Sequence, residues 1–115
     1  LNVVNVYMPG TVKERIEILE ELSSKLETIV SKNDDPLIVA GDFNITLSPL
    51  DSSSFQWTKK DCKALEAILE EYDLVDAWKF KNPENPGFTR FNHDGTSYSR
   101  IDFIFVSKSL VQLLT

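Results

Sequence analysis

"PLIVAGDFNITL", residues 36–47, decides how this chain is read. Leu37 to Ala40 is a short, apolar, partly β-branched run held between Pro36 and Gly41. Such a run, bounded by turn-forming residues, is the pattern of a buried strand. Gly41 allows a close backbone turn at the strand's end. Asp42 and Asn44 follow at the carboxyl end, where a rigid sheet meets a loop. Polar groups held there are well placed to meet a ligand. Considered by themselves, the two residues are more commonly explained as a plain turn at a strand end, because both types favour turns.

Upstream, "LNVVNVYMP" (1–9) is rich in Val and Tyr and stops at Pro9, so it predicts a strand. Thr11 and Glu14 have capping-box spacing for the helix that follows. Val12, Ile16, Leu19, Leu22, Leu26 and Ile29 recur every three or four residues and predict one apolar helical stripe to about residue 31. Downstream, residues 45–57 read as a loop rich in Ser, Pro and Asp. Thr58 with Asp61 suggests a second cap, ahead of a helix whose stripe is Cys62, Leu65, Ile68, Leu69 and Tyr72. "LVDAWKF" (74–80) reads as extended or partly so, and "KNPENPG" as a turn cluster. "GFTRF" and "YSRIDFIFVS" predict two strands of a hairpin whose tip is residues 92–97, with Gly95 as the turn residue.

The chain has 115 residues, 42% hydrophobic and 26% charged, which suits one ordinary globular domain. No apolar run approaches the roughly 20 residues that span a bilayer, and no secretory leader is visible. The single Cys62 excludes an internal disulfide and suits a reducing compartment, so a nuclear or cytoplasmic protein is expected. A net charge of -6 argues against strong nucleic-acid binding by this stretch alone. It suits carboxylates that hold a hard cation. Strands and helices alternate without repeats or linkers, so the class is α/β or α+β. Two helices are few for a closed core, and they suggest a sheet covered on one side with partners missing. The start at Leu1 and the apolar end "SLVQLLT" lead us to expect a partial domain over residues 1–115.

Asp102 lies within "RIDFIFV", among Ile101, Phe103, Ile104 and Phe105. A carboxylate buried there would need a donor, a metal or a histidine. By itself Asp102 reads as structural, paired with a backbone N–H or with Arg100.

The ordered set "NVYMPG", "IVAGDFN", "LVDAW", "FT" and "SRIDFIFVS" resembles the endonuclease/exonuclease/phosphatase superfamily. Within it, the chain is most similar to the apurinic-endonuclease-like domain of non-LTR (LINE-type) retrotransposon polyproteins, over nearly its whole length. The resemblance implies part of a four-layered, DNase I-like α/β sandwich. It implies that Asp42 serves as base or orienter for the attacking water and that Asn44 holds the phosphate. Tyr7 would stabilise the phosphate's developing charge, and Asp102 would brace a catalytic histidine. Oriented water and charge stabilisation are what phosphodiester cleavage demands. The hairpin resembles the family's DNA-facing loop, which makes Thr89, Arg90 and Ser99 candidate contacts to the DNA backbone. Mg (or Mn) is the implied cofactor. DNA and the remainder of the polyprotein, with its reverse transcriptase, are the implied partners.

The family's metal-binding Glu of a "QET"-like motif and the His of "SDH" have no counterpart in these residues. The one histidine, His93, falls in the hairpin tip and reads as a loop residue. The chain alone is therefore expected not to cleave DNA. Two alternatives stand beside the nuclease. One is a phosphoesterase of the same superfamily acting on inositol phosphates, sphingolipid head groups or RNA tails. The other is a non-catalytic remnant or interaction module. Trp57 and Trp78 read as packing residues. Lys59, Lys60 and Lys63, like the acidic runs "EILEE" and "EAILEEYD", read as solvated helix faces.

Overall fold

In the computed structural model, the described residues are 1–32, 34–48, 52, 59–85, 87–91, 98–111 and 113. The chain alternates strands and helices in the order β1 (Asn2–Tyr7), α1 (Val12–Lys32), β2 (Leu37–Asp42), α2 (Lys60–Glu71), β3 (Leu74–Asp76), α3 (Ala77–Lys81), β4 (Arg90–Phe91), β5 (Tyr98–Ser99), β6 (Asp102–Ser107) and α4 (Lys108–Val111). The main sheet has the order β1-β2-β6-β3, and β4 and β5 form a separate two-stranded ribbon. β2 is parallel to β1 and antiparallel to β6.

Period-2 alternation sends Val4, Val6, Leu37, Val39, Phe103 and Phe105 to one face of the sheet, where they join one core with Leu19, Leu22 and Leu26 of α1 and Leu65 and Ile68 of α2. Phe43, which leaves β2 into the loop, stands edge-on to Phe105 at 5.2 Å. Phe105 in turn stacks on Phe103 at 5.2 Å. The opposite face is open at the β1 edge and along β6, where Val3 is 65% and Ile104 54% exposed. The two longer helices, α1 and α2, thus cover one side of the sheet, as the sequence led us to expect, while Ala77, Trp78 and Lys81 of α3 border a cavity with Ala40 and Ile104 of the other face.

The Thr11 cap forms, with the Glu14 N–H donating to Thr11 Oγ1 at 3.3 Å. Three local expectations change. The buried stripe of α1 is Arg15, Leu19, Leu22 and Leu26, so Arg15 occupies a place that an apolar residue was expected to fill. The N-cap of α2 is Lys59, with no side-chain cap, and Asp61 is buried instead of exposed as a capping partner; Thr58 and Trp57 lie outside the described residues. "YSRIDFIFVS" is not one hairpin strand: Tyr98–Ser99 pairs with β4 in the ribbon, and Asp102–Ser107 joins the main sheet. "LVDAWKF" is extended in part, as expected, and turns helical after Asp76, which caps α3 by accepting the Lys79 N–H at 3.2 Å. That is the Asp-first signal of a helix start.

Gly41 admits no other residue. Its φ is +147°, and a Cβ there would lie 1.8 Å from the Val6 carbonyl oxygen of the neighbouring strand. Gly41→Ala should cost about 2–4 kcal/mol, from overpacking and a strained φ together. A lowered urea midpoint with an unchanged slope is the expected result.

Candidate active site

β2 is paired on both sides, and its register sets the site. Tyr7 at the end of β1 is opposite Asp42 at the end of β2, and Asp42 is opposite Asp102 at the start of β6. Directly opposed residues project to the same face of a sheet. A phenol and two carboxylates therefore stand in a row across three adjacent strands, about 4.8 Å apart from strand to strand.

Beyond the strand, the Asp42–Asn44 turn is clamped from both sides. The Met8 N–H donates to the Asp42 carbonyl at 2.9 Å, and the Phe43 N–H donates to the Ile101 carbonyl at 2.8 Å. Asp42 Oδ1 accepts the Asn44 N–H at 3.1 Å, closing an Asx turn. Asn44 has φ +48°, a conformation that asparagine tolerates better than most residues. Its Nδ2 donates to the Met8 carbonyl at 2.7 Å, which fixes the amide's orientation. Thr89 joins from the ribbon side: its Oγ1 accepts the N–H groups of Ile101 at 3.0 Å and of Asp102 at 3.3 Å. Both lone pairs are engaged, and the hydroxyl proton is left to donate.

Tyr7, Asp42, Asn44, Thr89 and Asp102 line one cleft of about 460 Å³. All four candidates for chemistry thus meet there. Ser99 does not; it lines a smaller adjoining pocket of about 160 Å³ that Asn44 also borders. Arg90 pairs with Ser99 through the backbone, but its side chain lies outside the described residues, as do His93 and Gly95.

Asp102 departs from expectation. It is exposed rather than buried. Arg100 pairs instead with Asp76, its two terminal nitrogens each donating to one carboxylate oxygen, while its guanidinium stacks 4.6 Å over the Phe103 ring. Asp102 alternates with the buried Phe103, so its side chain projects with Ile104 to the face opposite the core. The "LVD" and "SRID" motifs therefore share one buried ion pair. Arg15 and Asp61 make a second, at 2.8 Å. Sequence reading missed both partnerships. For the second pair a signal was present: Arg15 and Asp61 each sit on the apolar stripe of their helix.

The cleft offers hard oxygen donors from Asp42, Asp102 and Asn44. That set suits magnesium, which takes one or two carboxylates and fills its remaining positions with water and phosphate oxygen. Among the described residues no group of three or more His, Cys, Asp or Glu side chains converges as a metal cage.

The endonuclease-reverse transcriptase family matches the chain over residues 1–114. This chain belongs to that family. A member-like relative, the transposon TX1 uncharacterized 149 kDa protein of Xenopus laevis, is 39% identical over 112 residues, covering 96% of this chain and 8% of that protein. The fold is shared with the catalytic domain of Xenopus laevis APE2, at a TM-score of 0.80 and 21% identity, over 96% of this chain and 41% of that one. An AP endonuclease from Archaeoglobus fulgidus gives a TM-score of 0.76 at 23% identity, over 96% and 50%. The chain thus spans half or less of the length of these solved relatives. The resemblance read from the ordered motifs holds, and so does the DNase I-like fold class.

Like charges directly opposed on adjacent strands destabilise a sheet. Asp102→Asn should therefore raise the stability of this chain in metal-free buffer, by a few tenths to about 1 kcal/mol. Chemical denaturation of parent and variant measures it.

Proposed function

We propose that this chain forms part of a metal-dependent endonuclease that hydrolyses a phosphodiester bond of DNA, within a LINE-type retroelement polyprotein that also carries a reverse transcriptase. The observation that supports it most is the in-register row of Tyr7, Asp42 and Asp102, with Asn44 held beside them. These are the positions at which the ordered motifs resemble nuclease residues.

In this reading a water molecule lies against Asp42 Oδ2, which has no hydrogen bond among the described residues. Asp42 orients that water and takes its proton as its oxygen attacks phosphorus. The P–O3′ bond breaks, leaving a 3′-hydroxyl to prime reverse transcription and a 5′-phosphate. Asn44 and the Tyr7 phenol donate to phosphate oxygens whose charge grows in the transition state. Thr89, Arg90 and Ser99 contact the DNA backbone. Asp102 holds a histidine supplied by another part of the polyprotein.

Magnesium or manganese, when bound, shields the phosphate's charge. A carboxylate from outside these residues would hold it, with Asp42 beside it in the cleft. Two opposed carboxylates repel a phosphodiester, and a cation there would offset that repulsion. The charge of -6 does not stand against DNA. Glu17, Glu20 and Glu21 of α1, like Glu66, Glu70 and Glu71 of α2, are exposed on the helix layer, across the sheet from the face toward which Tyr7, Asp42 and Asp102 project. Among the described residues no helix is long and apolar enough to cross a membrane.

With magnesium, the full-length protein should nick supercoiled plasmid, and Asp42→Ala should reduce nicking on the order of 10²–10³-fold. The 115-residue chain alone should not nick above background. Faster turnover of soluble inositol or sphingolipid phosphoesters than of duplex DNA would transfer the site to the phosphoesterase reading. Nicking by the isolated chain that Asp42→Ala abolishes would refute its dependence on other parts.

A further inference from the structure

The buried pair of Arg15 and Asp61 takes no direct part in the chemistry proposed above, yet it is built with care. Only 8% and 2% of the two side-chain surfaces are exposed. Arg15 Nε donates to Asp61 Oδ2 at 2.8 Å, and Asp61 Oδ1 accepts the Cys62 N–H at 2.8 Å in the first turn of α2. A pair of this kind stabilises a fold weakly, because desolvation offsets the Coulomb gain and apolar replacements are often neutral or better. What it does that apolar residues could not is hold a carbonyl. Arg15 Nη1 donates to the Pro9 carbonyl at 3.1 Å.

That carbonyl is next to the cleft. The Met8 carbonyl accepts Asn44 Nδ2 at 2.7 Å, and the Met8 N–H donates to the Asp42 carbonyl at 2.9 Å. The two carbonyls belong to successive peptide units joined through Pro9, whose ring locks φ. With φ locked, ψ of Pro9 is the one torsion left between the two carbonyls, and the bond from the guanidinium to the second restrains it. We propose that the Arg15–Asp61 pair is a positioning device: through Pro9 it aims the Met8 carbonyl and so sets the Asn44 amide in the cleft. An amide held by one N–H keeps its other N–H on a defined line, as donation to a phosphate oxygen requires. The link to cleavage rests on the nuclease reading; the link to Asn44 does not.

Hydrogen exchange in the full-length protein, read on peptides covering residues 7–10 and 42–46, tests the device. In an Arg15→Met, Asp61→Leu double variant, which removes both charges but keeps an apolar interior, the Met8 and Asn44 amides should exchange at least about tenfold faster while β6 keeps its protection. Arg15→Lys keeps a charge against Asp61 but loses the fork that reaches two partners at once. It should loosen the same peptides, and it decides the matter if the double variant does not fold. Unchanged exchange at Met8 and Asn44 in a folded variant overturns the proposal. For turnover, kcat of nicking should fall on the order of tenfold to a hundredfold with KM changed less than about threefold, as expected when a group is misaimed rather than lost. Loosened peptides with unchanged kcat would overturn the catalytic consequence. A parent protein that never nicks would defeat the nuclease reading, while the exchange comparison would still decide what the pair does.

Discussion

The close approach of Gly41 to the Val6 carbonyl is the constraint on which the rest depends. A Cβ at this point would collide with the neighbouring backbone. Without one, β1 and β2 stay paired to their last residues, and Tyr7 arrives level with Asp42. On its other edge β2 keeps its pairing with β6 to the same level, which brings in Asp102. A slip of one residue in either ladder would turn a site residue to the opposite face. The arrangement of the site is thus a consequence of strand register more than of side-chain contacts, since Tyr7 and Asp102 are exposed and gain little from their surroundings.

Around this row the loops are tied by hydrogen bonds whose donors and acceptors are mostly main chain. Met8 and Phe43 anchor the turn at Asp42, and Thr89 anchors the approach to Asp102. Two buried ion pairs lie one step further out. Arg100 and Asp76 join β3 to the residues before β6, and Arg15 and Asp61 join the helix layer to the loop after β1. Both use arginine, whose planar fork can satisfy more than one acceptor at a time. In each case one residue of the pair also serves a helix start: Asp76 caps α3, and Asp61 accepts an N–H in the first turn of α2.

The distribution of polarity over the sheet explains why a chain of net negative charge can belong to this family. Carboxylates are plentiful on the outer helices, where water screens them. At the cleft there are two, opposed and without protein cations bonded to them among the described residues. The open face beside the cleft carries Val3 and Ile104. Its apolar character and the one-sided helix layer agree with a chain that spans 41% of the APE2 catalytic domain it superimposes on.

The strand 37–42, the long helix, the second helix, the one-sided sheet and the family were all legible in the sequence, because each depends on a local period or an ordered motif. Asp42, Asn44, Tyr7 and Asp102 could be singled out for the same reason. Their convergence could not, since it depends on pairing among strands that lie tens of residues apart. Nor could the exposure of Asp102 be read: its neighbours are apolar on both sides, and only the pairing of the sheet shows that Asp102 and Ile104 share the face away from the core. "LVDAWKF" hid its helix because the capping role of Asp76 shows only once the chain has turned. Arg15 and Asp61 sat on apolar stripes in plain view, yet one charge on a stripe says only that a partner is required. Local chemistry names the residues that need partners; the tertiary fold alone supplies them, because a buried charge can be satisfied by any complementary group that packing brings within about 3 Å.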